Sequence, residues 1–458
     1  MLKLRAYTTT GSLLVLFSAL AYYLVAYHVE RTEFDVLFFS WAVLFAAYLL
    51  MIRFSRESDT GKLIAFSFIF RLIFILAVPA LSNDFYRFIW DARLMLRGVN
   101  PFEALPGELI NTQLGTKIDA GWILFEGMGT LQPDNYSCYP PVNQFAFLLG
   151  SFLTPNSITG SIVGIRLIIV LADLGIVFYG KRLLQWLGLP VKNILIYVLN
   201  PLVIVELTGN LHFEGLMLLF IIIALYFLLS GRSNLSAVFF ALGVSVKLIP
   251  LIFLPLLYKN LGLKKLMVYA SIVAAINILL FIPFMSPELL ANFWSSLDLY
   301  FRNFEFNASI YYVVRATAYE IVGWNIIQTA GPALAAISVF MVLLFALLPK
   351  NQLPHILISS MILVLSFHYF LSTTVMPWYI VLILGLSVFY PQRFIILWSF
   401  TIILSYQAYS NPGWRENLLV IFVEYLPVYL VLIYEWLKGK AYEIDSGFIR
   451  HTKREKSN

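Results

Sequence analysis

The chain has 458 residues, of which 60% are apolar, 16% aromatic and only 12% charged. A soluble domain carries roughly 25% charged and about 45–50% apolar residues, so this chain has too few polar side chains to cover a water-exposed surface. The composition predicts a polytopic membrane protein. This composition excludes disordered, collagen-like and disulfide-rich secreted proteins. A nucleic-acid-binding protein is also excluded, because the net charge of +6 is spread over loops and a tail and does not form one basic stripe.

Apolar runs recur along almost the whole chain. Each is near the length of about twenty residues that crosses the roughly 30 Å hydrocarbon core. The first run follows Lys3 and Arg5 and continues past a small-residue site at 19–21, so it is predicted to be an uncleaved anchor. The predicted spans lie at 11–29, 35–52, 63–81, 161–180, 192–208, 212–230, 264–285, 326–348, 353–371, 375–390, 393–409 and 417–437.

Lysines and arginines in short loops predict the orientation, because they favour the cytoplasmic side. They cluster at 53–62, 181–182, 259–265 and 438–456. If the apolar segment 140–154 crossed the membrane, the cluster at 181–182 would lie on the outer side. We therefore predict that 140–154 is a half-buried helix that returns to the outer side.

The same orientation divides 235–258 into two short helices, broken near Lys247 and Pro250. Proline cannot continue the helical hydrogen-bond ladder, and a broken helix at membrane depth is tolerated only where its backbone lines a cavity or is buried in protein. Lys247 is therefore expected in a cavity near the outer side.

The predicted fold is one all-α transmembrane helical bundle over 1–440, with about 12–14 membrane helices including the broken pair. Two extramembrane segments, 82–138 and 286–325, join outer helix ends and are expected to cover one shared site. A basic cytoplasmic tail at 441–458 completes the chain.

Charged residues are densest at 82–102. Ser82, Asn83 or Asp84 is expected to cap a helix that stops at Gly98. Two interpretations stay open: an amphipathic interfacial helix on lipid headgroups, or a helix that carries chemistry. Helical spacing places Asp84, Arg87 and Asp91 on one face, with Tyr86, Trp90, Arg93 and Arg97 as a neighbouring stripe.

These residue types match the needs of glycosyl transfer from an activated sugar. A carboxylate such as Asp84 takes the proton of the attacking hydroxyl, and aromatic rings such as Tyr86 and Trp90 stack on a sugar or lipid. Cations hold the leaving phosphate, and the candidates are Arg87, Arg93, Arg97 and Lys247.

Several motifs resemble the GT-C-type membrane glycosyltransferases that use polyprenyl-phosphate sugars, especially the polyprenol-phosphate-mannose mannosyltransferases. An acidic residue opens the first large outer loop, followed by Tyr86-Arg87-x-x-Trp90-Asp91, Gly98-x-Asn100-Pro101-Phe102 and Tyr139-Pro140-Pro141. Further matches are Asn200-Pro201, Gly209-Asn210-Leu211-His212-Phe213-Glu214, Lys247-Leu248-Ile249-Pro250, Phe306-Asn307-Ala308-Ser309 and Pro377-Trp378-Tyr379.

The resemblance implies a GT-C-like fold and a catalytic carboxylate at Asp84. It implies transfer of a hexose, with mannose favoured, from a polyprenyl phosphate to a glycan or lipid-linked acceptor. The reaction is expected to invert the anomeric centre at the non-cytoplasmic face of a bacterial-type inner membrane or its lumenal equivalent. The family often has two successive acidic residues where this chain has Asn83-Asp84, which leaves a single base and weakens a metal-dependent mechanism.

Polar residues within or beside predicted spans are further candidates. Asp91, His212 and Glu214 are expected to orient the sugar or contact the acceptor, and the alternative for His212 and Glu214 is a polar turn between two spans. Lys247 is expected to bind lipid phosphate, with pairing to Asp84 or Glu214 as the structural alternative. Arg166 and Asp173, seven residues apart, are interpreted as satisfying each other or a neighbouring helix.

No cofactor is predicted, because the sequence shows no His/Cys cluster with metal-ligand spacing and no glycine-rich phosphate loop. The expected partners are the bilayer, a polyprenyl-phosphate sugar and an acceptor glycan or lipid. Three alternatives stay open: a transporter or flippase of lipid-linked sugars, an oligosaccharide polymerase, and a non-catalytic scaffold.

Overall fold

The computed structural model describes residues 2–411 and 413–438, and the predicted tail at 441–458 lies outside them. The described residues form helices and loops, with one isolated bridge pairing between Phe306 and Thr374. The prediction of an all-α polytopic bundle is confirmed.

The first third of the chain builds two long helices, a shorter third helix and an elaborate loop. The two long helices are mainly apolar, and the helices of the loop begin at aspartate, proline or glycine. These elements are α1 (Leu2–Tyr27), α2 (Phe34–Phe54), α3 (Thr60–Ile73), α4 (Asp84–Leu96), α5 (Pro106–Leu109), α6 (Gly121–Gly127) and α7 (Pro141–Phe152).

The middle of the chain contains the longest helix and two interrupted ones. It comprises α8 (Ile158–Trp186), α9 (Leu195–Val198), a π-helical segment (Val203–Gly209), α10 (Glu214–Leu229), α11 (Ser233–Val246) and α12 (Tyr258–Phe281). The remaining helices are α13 (Leu289–Arg302), α14 (Ile310–Val322), α15 (Ile327–Ala346), α16 (Pro354–Leu371), α17 (Ile380–Ser387), α18 (Arg393–Thr401) and α19 (Leu418–Leu437).

Six helices in the described residues are long and apolar enough to cross a membrane, and a pair bent by 60°, Val191–Val198 with Val203–Gly209, makes a seventh candidate. Shorter apolar helices lie at Gly11–Tyr27, Glu214–Leu229, Ser233–Val246 and Pro377–Ser387. Together with α3 and α18 these elements occupy all twelve predicted runs, so the predicted order of apolar segments agrees with the fold.

The break predicted near Lys247 is present. Helix α11 ends at Val246, Lys247 is extended with φ −147° and ψ 144°, and 3-10 turns follow from Ile249. The segment predicted as a half-buried helix forms α7, twelve residues long, which is too short to cross the hydrocarbon core.

A buried polar network lies deep in the bundle. Arg71 on α3 pairs with Asp173 on α8 at 2.7 Å, and both side chains are 0% exposed. Arg71 also donates to the carbonyl oxygens of Ser67 and Val198, and the Tyr197 hydroxyl donates to Asp173. Of the two outcomes left open for Asp173, the structure shows pairing with a neighbouring helix.

Arg166 donates its hydrogen bonds to backbone carbonyl groups and not to a carboxylate. It donates to the carbonyl oxygens of Thr208, Gly209 and Ile75. Two of these acceptors lie at the end of the bent pair, where the helix leaves carbonyl groups without partners of its own. Arg166 therefore stabilises the end of the π-helical segment that leads into α10.

Loop contacts join segments that the prediction assigns to the same end of the bundle. Glu57 accepts from the backbone N–H of Lys192, and Glu435 accepts from the backbone N–H of Arg393. The opposite end carries the first outer loop (82–138), the break at Lys247 and the segment 304–309, and these meet around one cavity.

Candidate active site

Helix α4 opens the first outer loop and is enclosed by protein. The Ser82 hydroxyl accepts from the backbone N–H of Asp84, and the Asn83 amide donates to the carbonyl oxygens of Gly127 and Met128 at 3.2 and 2.9 Å. Almost every residue from Phe85 to Leu94 is buried, with α7 and α6 packed against the helix. Of the two interpretations, the structure therefore excludes a helix that merely lies on lipid headgroups.

A cavity of about 610 Å³ opens beside the first turn of α4. Asp84, Glu214 and Lys247 all line it, although they come from three separate elements. Other parts of the wall come from residues within 128–140, 304–306 and 368–379, and from Tyr409, Trp414 and Glu416. The cavity therefore brings together the two outer segments that the sequence predicts to share one site.

Asp84 is the acidic residue best placed for proton transfer in this cavity. The Gln132 side-chain amide donates to its Oδ1 at 2.7 Å. Burial raises the pKa of Asp84 to about 6, with Glu214 adding to the rise, while the Lys247 ammonium and the Gln132 hydrogen bond lower it. A carboxyl group with this pKa is ionised at neutral pH and is basic enough to accept a proton.

Lys247 contacts Glu214 across the cavity wall. The Lys247 side chain is 23% exposed and the Glu214 side chain 1%. Glu214 Oε2 has no hydrogen-bond partner among the described residues, and Lys247 Nζ lies 5.6 Å from the centre of the Tyr379 ring. Lys247 thus pairs with Glu214, one of the two alternatives to phosphate binding, and it also lines the cavity.

Arg87 also lies on the wall, but its hydrogen bonds are made to protein. Its Nε is 2.7 Å from Asp91, and its Nη1 donates to the carbonyl oxygens of Gln132 and Asn135 at 3.0 and 2.8 Å. Asp91 also accepts from Ser137 and Gln144 and is fully buried. Arg87 and Asp91 therefore fix the loop that presents Gln132 to Asp84.

Four other predicted residues on or just after α4 do not line the cavity. Tyr86 packs on α6, where a Cβ built on Gly127 would lie 2.5 Å from the Tyr86 ring. Trp90 and Arg93 are fully buried, and Arg97 pairs with Asp119 at 2.9 Å. Their predicted contacts with donor phosphate or sugar have no support in this placement, because none of the four side chains lines the cavity.

His212 supports the cavity from behind. Its ring stacks on Trp378, with 3.6 Å between ring centres and 17° between planes, and Trp378 lines the cavity. His212 Nε2 lies 3.7 Å from Glu206. Of the three residues predicted to orient the sugar or contact the acceptor, Glu214 lines the cavity, whereas Asp91 and His212 lie behind residues that line it.

The structure adds residues that the sequence analysis did not single out. Arg31, in the loop between α1 and α2, lines the cavity together with Tyr409 and Trp414. Its guanidinium carbon lies 5.0 Å from the Tyr409 ring centre and 4.3 Å from that of Trp414. The predicted topology could have identified Arg31, because the spans at 11–29 and 35–52 place it on the same side of the membrane as Asp84.

An apolar flank extends the cavity between α13, α15 and α16. Its lining includes Leu297, Leu334, Ala335 and Leu371. Helices α13 and α15 approach closely at Gly331, where a Cβ would lie 1.9 Å from the carbonyl oxygen of Phe301. The cavity thus has a charged end and an apolar flank.

Two protein-family models match parts of the chain. The family model described as alpha-(1->6)-mannopyranosyltransferase, N-terminal domain, matches residues 8–261, more than half of the chain. The model of the ALG3 protein family matches residues 210–348, while a comparison with curated proteins finds no match. The predicted resemblance to membrane mannosyltransferases is confirmed. The chain belongs to the alpha-(1->6)-mannopyranosyltransferase family and is a multi-pass membrane mannosyltransferase.

Proposed function

We propose that this mannosyltransferase takes mannose from a polyprenyl phosphate and transfers it to a hydroxyl group of a glycan or lipid-linked acceptor. The observation that carries the proposal is Asp84, a carboxylate on the cavity wall with a pKa of about 6, which shares that wall with the ammonium of Lys247. This pair supplies the base and the cation that the transfer needs.

The proposed step is a single displacement. Asp84 accepts the proton of the acceptor hydroxyl as its oxygen bonds to the anomeric carbon. The bond from that carbon to the phosphate oxygen breaks, and its electron pair leaves with the phosphate, whose charge Lys247 stabilises. One displacement inverts the anomeric centre. Glu214, the other carboxylate close to Asp84, contacts Lys247 and is assigned no role as a nucleophile.

The lipid-linked donor is supported by the shape of the cavity. Its charged end suits a phosphate and a sugar, and its apolar flank suits an isoprenoid chain. Its walls come from loops that the basic residues of the sequence assign to the non-cytoplasmic side, so we place the reaction there.

The test is Asp84→Asn in purified, reconstituted protein with labelled polyprenyl-phosphate-mannose. The substitution keeps shape and removes basicity, so transfer should fall about 10²–10⁴-fold while donor binding is retained. Asp119→Asn is the matched control, because Asp119 is an acidic residue of the same loop that pairs with Arg97 outside the cavity lining. Transfer by Asp84→Asn at the wild-type rate would refute the proposed base.

The donor and the product are tested separately. Polyprenyl-phosphate-mannose is compared with polyprenyl-phosphate-glucose and with a nucleotide-linked mannose, and only the first should support transfer. Products that grow by one mannose per donor support a transferase, whereas addition of whole oligosaccharides would favour the polymerase alternative.

A further inference from the structure

Arg31 comes from a part of the chain distant from the other charged residues of the cavity. It lies in the short loop between α1 and α2, whereas Tyr409 and Trp414 come from the segment just before α19. The two rings lie against its guanidinium group at 5.0 and 4.3 Å. Stacking of this kind fixes the plane of a guanidinium group and leaves its N–H edge available.

The hydrogen-bonding state of Arg31 differs from that of the other cations on the wall. In the described residues, three arginine or lysine side chains line the cavity: Arg31, Arg87 and Lys247. Arg87 pairs with Asp91 and Lys247 with Glu214. Arg31 has no carboxylate within 4.0 Å and no hydrogen bond to protein among the described residues, so its five donors are available to a ligand.

The carboxylates on the same stretch of wall are engaged elsewhere. Glu416 accepts from the backbone N–H of Asn307 and from the Tyr312 hydroxyl. Glu305 accepts from Arg315 and from the Tyr311 hydroxyl. These contacts engage both carboxylates with other partners, and no carboxylate of the described residues lies within 4.0 Å of the Arg31 guanidinium nitrogens.

We propose that Arg31 binds the phosphate of the polyprenyl-phosphate donor through its N–H edge, so that the hairpin α1–α2 forms part of the donor site. The inference rests on the proposed function. A guanidinium edge matches two phosphate oxygens, whereas Lys247 offers a point charge. Because the donor is a phosphodiester and the leaving polyprenyl phosphate a monoester, negative charge on the phosphate grows during transfer. Arg31 therefore stabilises the leaving group more than the bound donor.

The experiment compares Arg31→Ala and Arg31→Lys with the wild type in reconstituted protein, with donor and acceptor varied separately. We expect kcat/KM for the donor to fall roughly 10- to 100-fold in Arg31→Ala, the range for loss of a charged hydrogen-bonded pair. Arg31→Lys should recover part of this loss, and the KM for the acceptor should stay within about twofold.

Arg182→Ala is the matched control, because Arg182 also stacks on an aromatic ring, 4.0 Å from Phe178, but does not line the cavity. It should transfer mannose at the wild-type rate. A donor kcat/KM for Arg31→Ala within twofold of wild type would overturn the inference, as would a loss confined to the acceptor KM. If wild-type protein uses another donor instead, the proposed function itself fails, and the two failures are distinguishable.

Cys138 supplies a second measurement, because the chain has one cysteine and it lines the cavity. Burial raises the pKa of the Cys138 thiol, so labelling with a small thiol reagent is followed at alkaline pH. Polyprenyl phosphate should slow labelling more than polyprenol does, and Arg31→Ala should reduce that difference, with Lys247 left to bind the phosphate. A difference as large in Arg31→Ala as in wild type would contradict the inference.

Discussion

Two ion pairs between helical segments of the bundle differ in their access to the cavity. Arg71 and Asp173 are both 0% exposed and are bonded to Ser67, Val198 and Tyr197, although Arg71 Nη2 has no partner among the described residues. Lys247 and Glu214 meet at the cavity, where Lys247 is 23% exposed and one oxygen of Glu214 has no partner among the described residues.

The difference separates structural from functional charge in a chain that carries few charges. A pair enclosed in the protein interior cannot reach a ligand, and the loss of one partner leaves an unpaired charge in a low-dielectric interior. A pair that faces a cavity with bonding capacity to spare can exchange one partner for a substrate. Four predictions test whether this separation holds.

The largest expected effect is loss of folded protein in Arg71→Ala. The substitution leaves Asp173 buried without its cation, which costs about 3–5 kcal/mol for a broken buried pair. The yield of monodisperse protein and its thermal unfolding would show the loss, with Arg182→Ala as control. If Arg71→Ala were as stable as wild type and lost only transfer, the deep pair would have a catalytic role.

Lys247→Met should instead lose transfer while the protein stays folded. Removal of the ammonium takes away charge stabilisation of the leaving phosphate, and a loss of about 10- to 100-fold is expected. Glu214 is next to the cavity and is free to take up a proton or water, so the melting temperature should shift far less than in Arg71→Ala. Lys247→Arg should retain part of the activity. Unfolding comparable with that of Arg71→Ala would make the pair structural.

The pH dependence of transfer links the cavity pair to Asp84. With a pKa of about 6, Asp84 is protonated and inactive as a base at lower pH, so kcat/KM should rise tenfold per pH unit up to about pH 6 and then level off. Because the Lys247 ammonium lowers the pKa of Asp84, Lys247→Met should move this acid limb to higher pH. An acid limb that stays in place in Lys247→Met would contradict the assignment to Asp84.

The smallest expected effect is that of a chelator. Lys247 holds its positive charge close to Glu214 and Asp84, which opposes binding of a divalent cation between the two carboxylates. No group of three or more His, Cys, Asp or Glu side chains suited to a metal occurs within 2–411 and 413–438. Transfer should be unchanged by EDTA, and inhibition that Mn²⁺ or Mg²⁺ reverses would contradict this prediction.

The sequence is most informative where one local rule decides the structure. Pro250 and the alternation of spans predicted the break beside Lys247, and the structure places that break on the cavity wall. The sequence predicted a helix capped by Ser82, Asn83 or Asp84, and α4 begins at Asp84 with Asn83 at the N-cap position. These features depend on nearby residues and on the thickness of a membrane, both of which can be read from one chain.

Helical spacing was less informative for the rest of α4. It grouped Trp90, Arg93 and Arg97 into one stripe, but the loop that covers α4 contributes residues up to 48 positions away from their partners on the helix. The pairing of Lys247 with Glu214 joins residues 33 positions apart. Arg31 meets Trp414 across almost the whole chain. Such contacts depend on tertiary packing, which local spacing does not determine.

The contacts of Arg87 tie the chemistry of Asp84 to the architecture of its loop. Arg87 bonds to the backbone of Gln132, 45 residues away in sequence, and Gln132 in turn donates to Asp84. If the loop opened, the carboxylate would lose the donor that favours its ionised form. The loss of this hydrogen bond would raise the pKa of Asp84, so its ionisation at neutral pH depends on the loop being closed. Closure of the loop, together with the presence of the acid, would thereby decide whether the enzyme can carry out transfer.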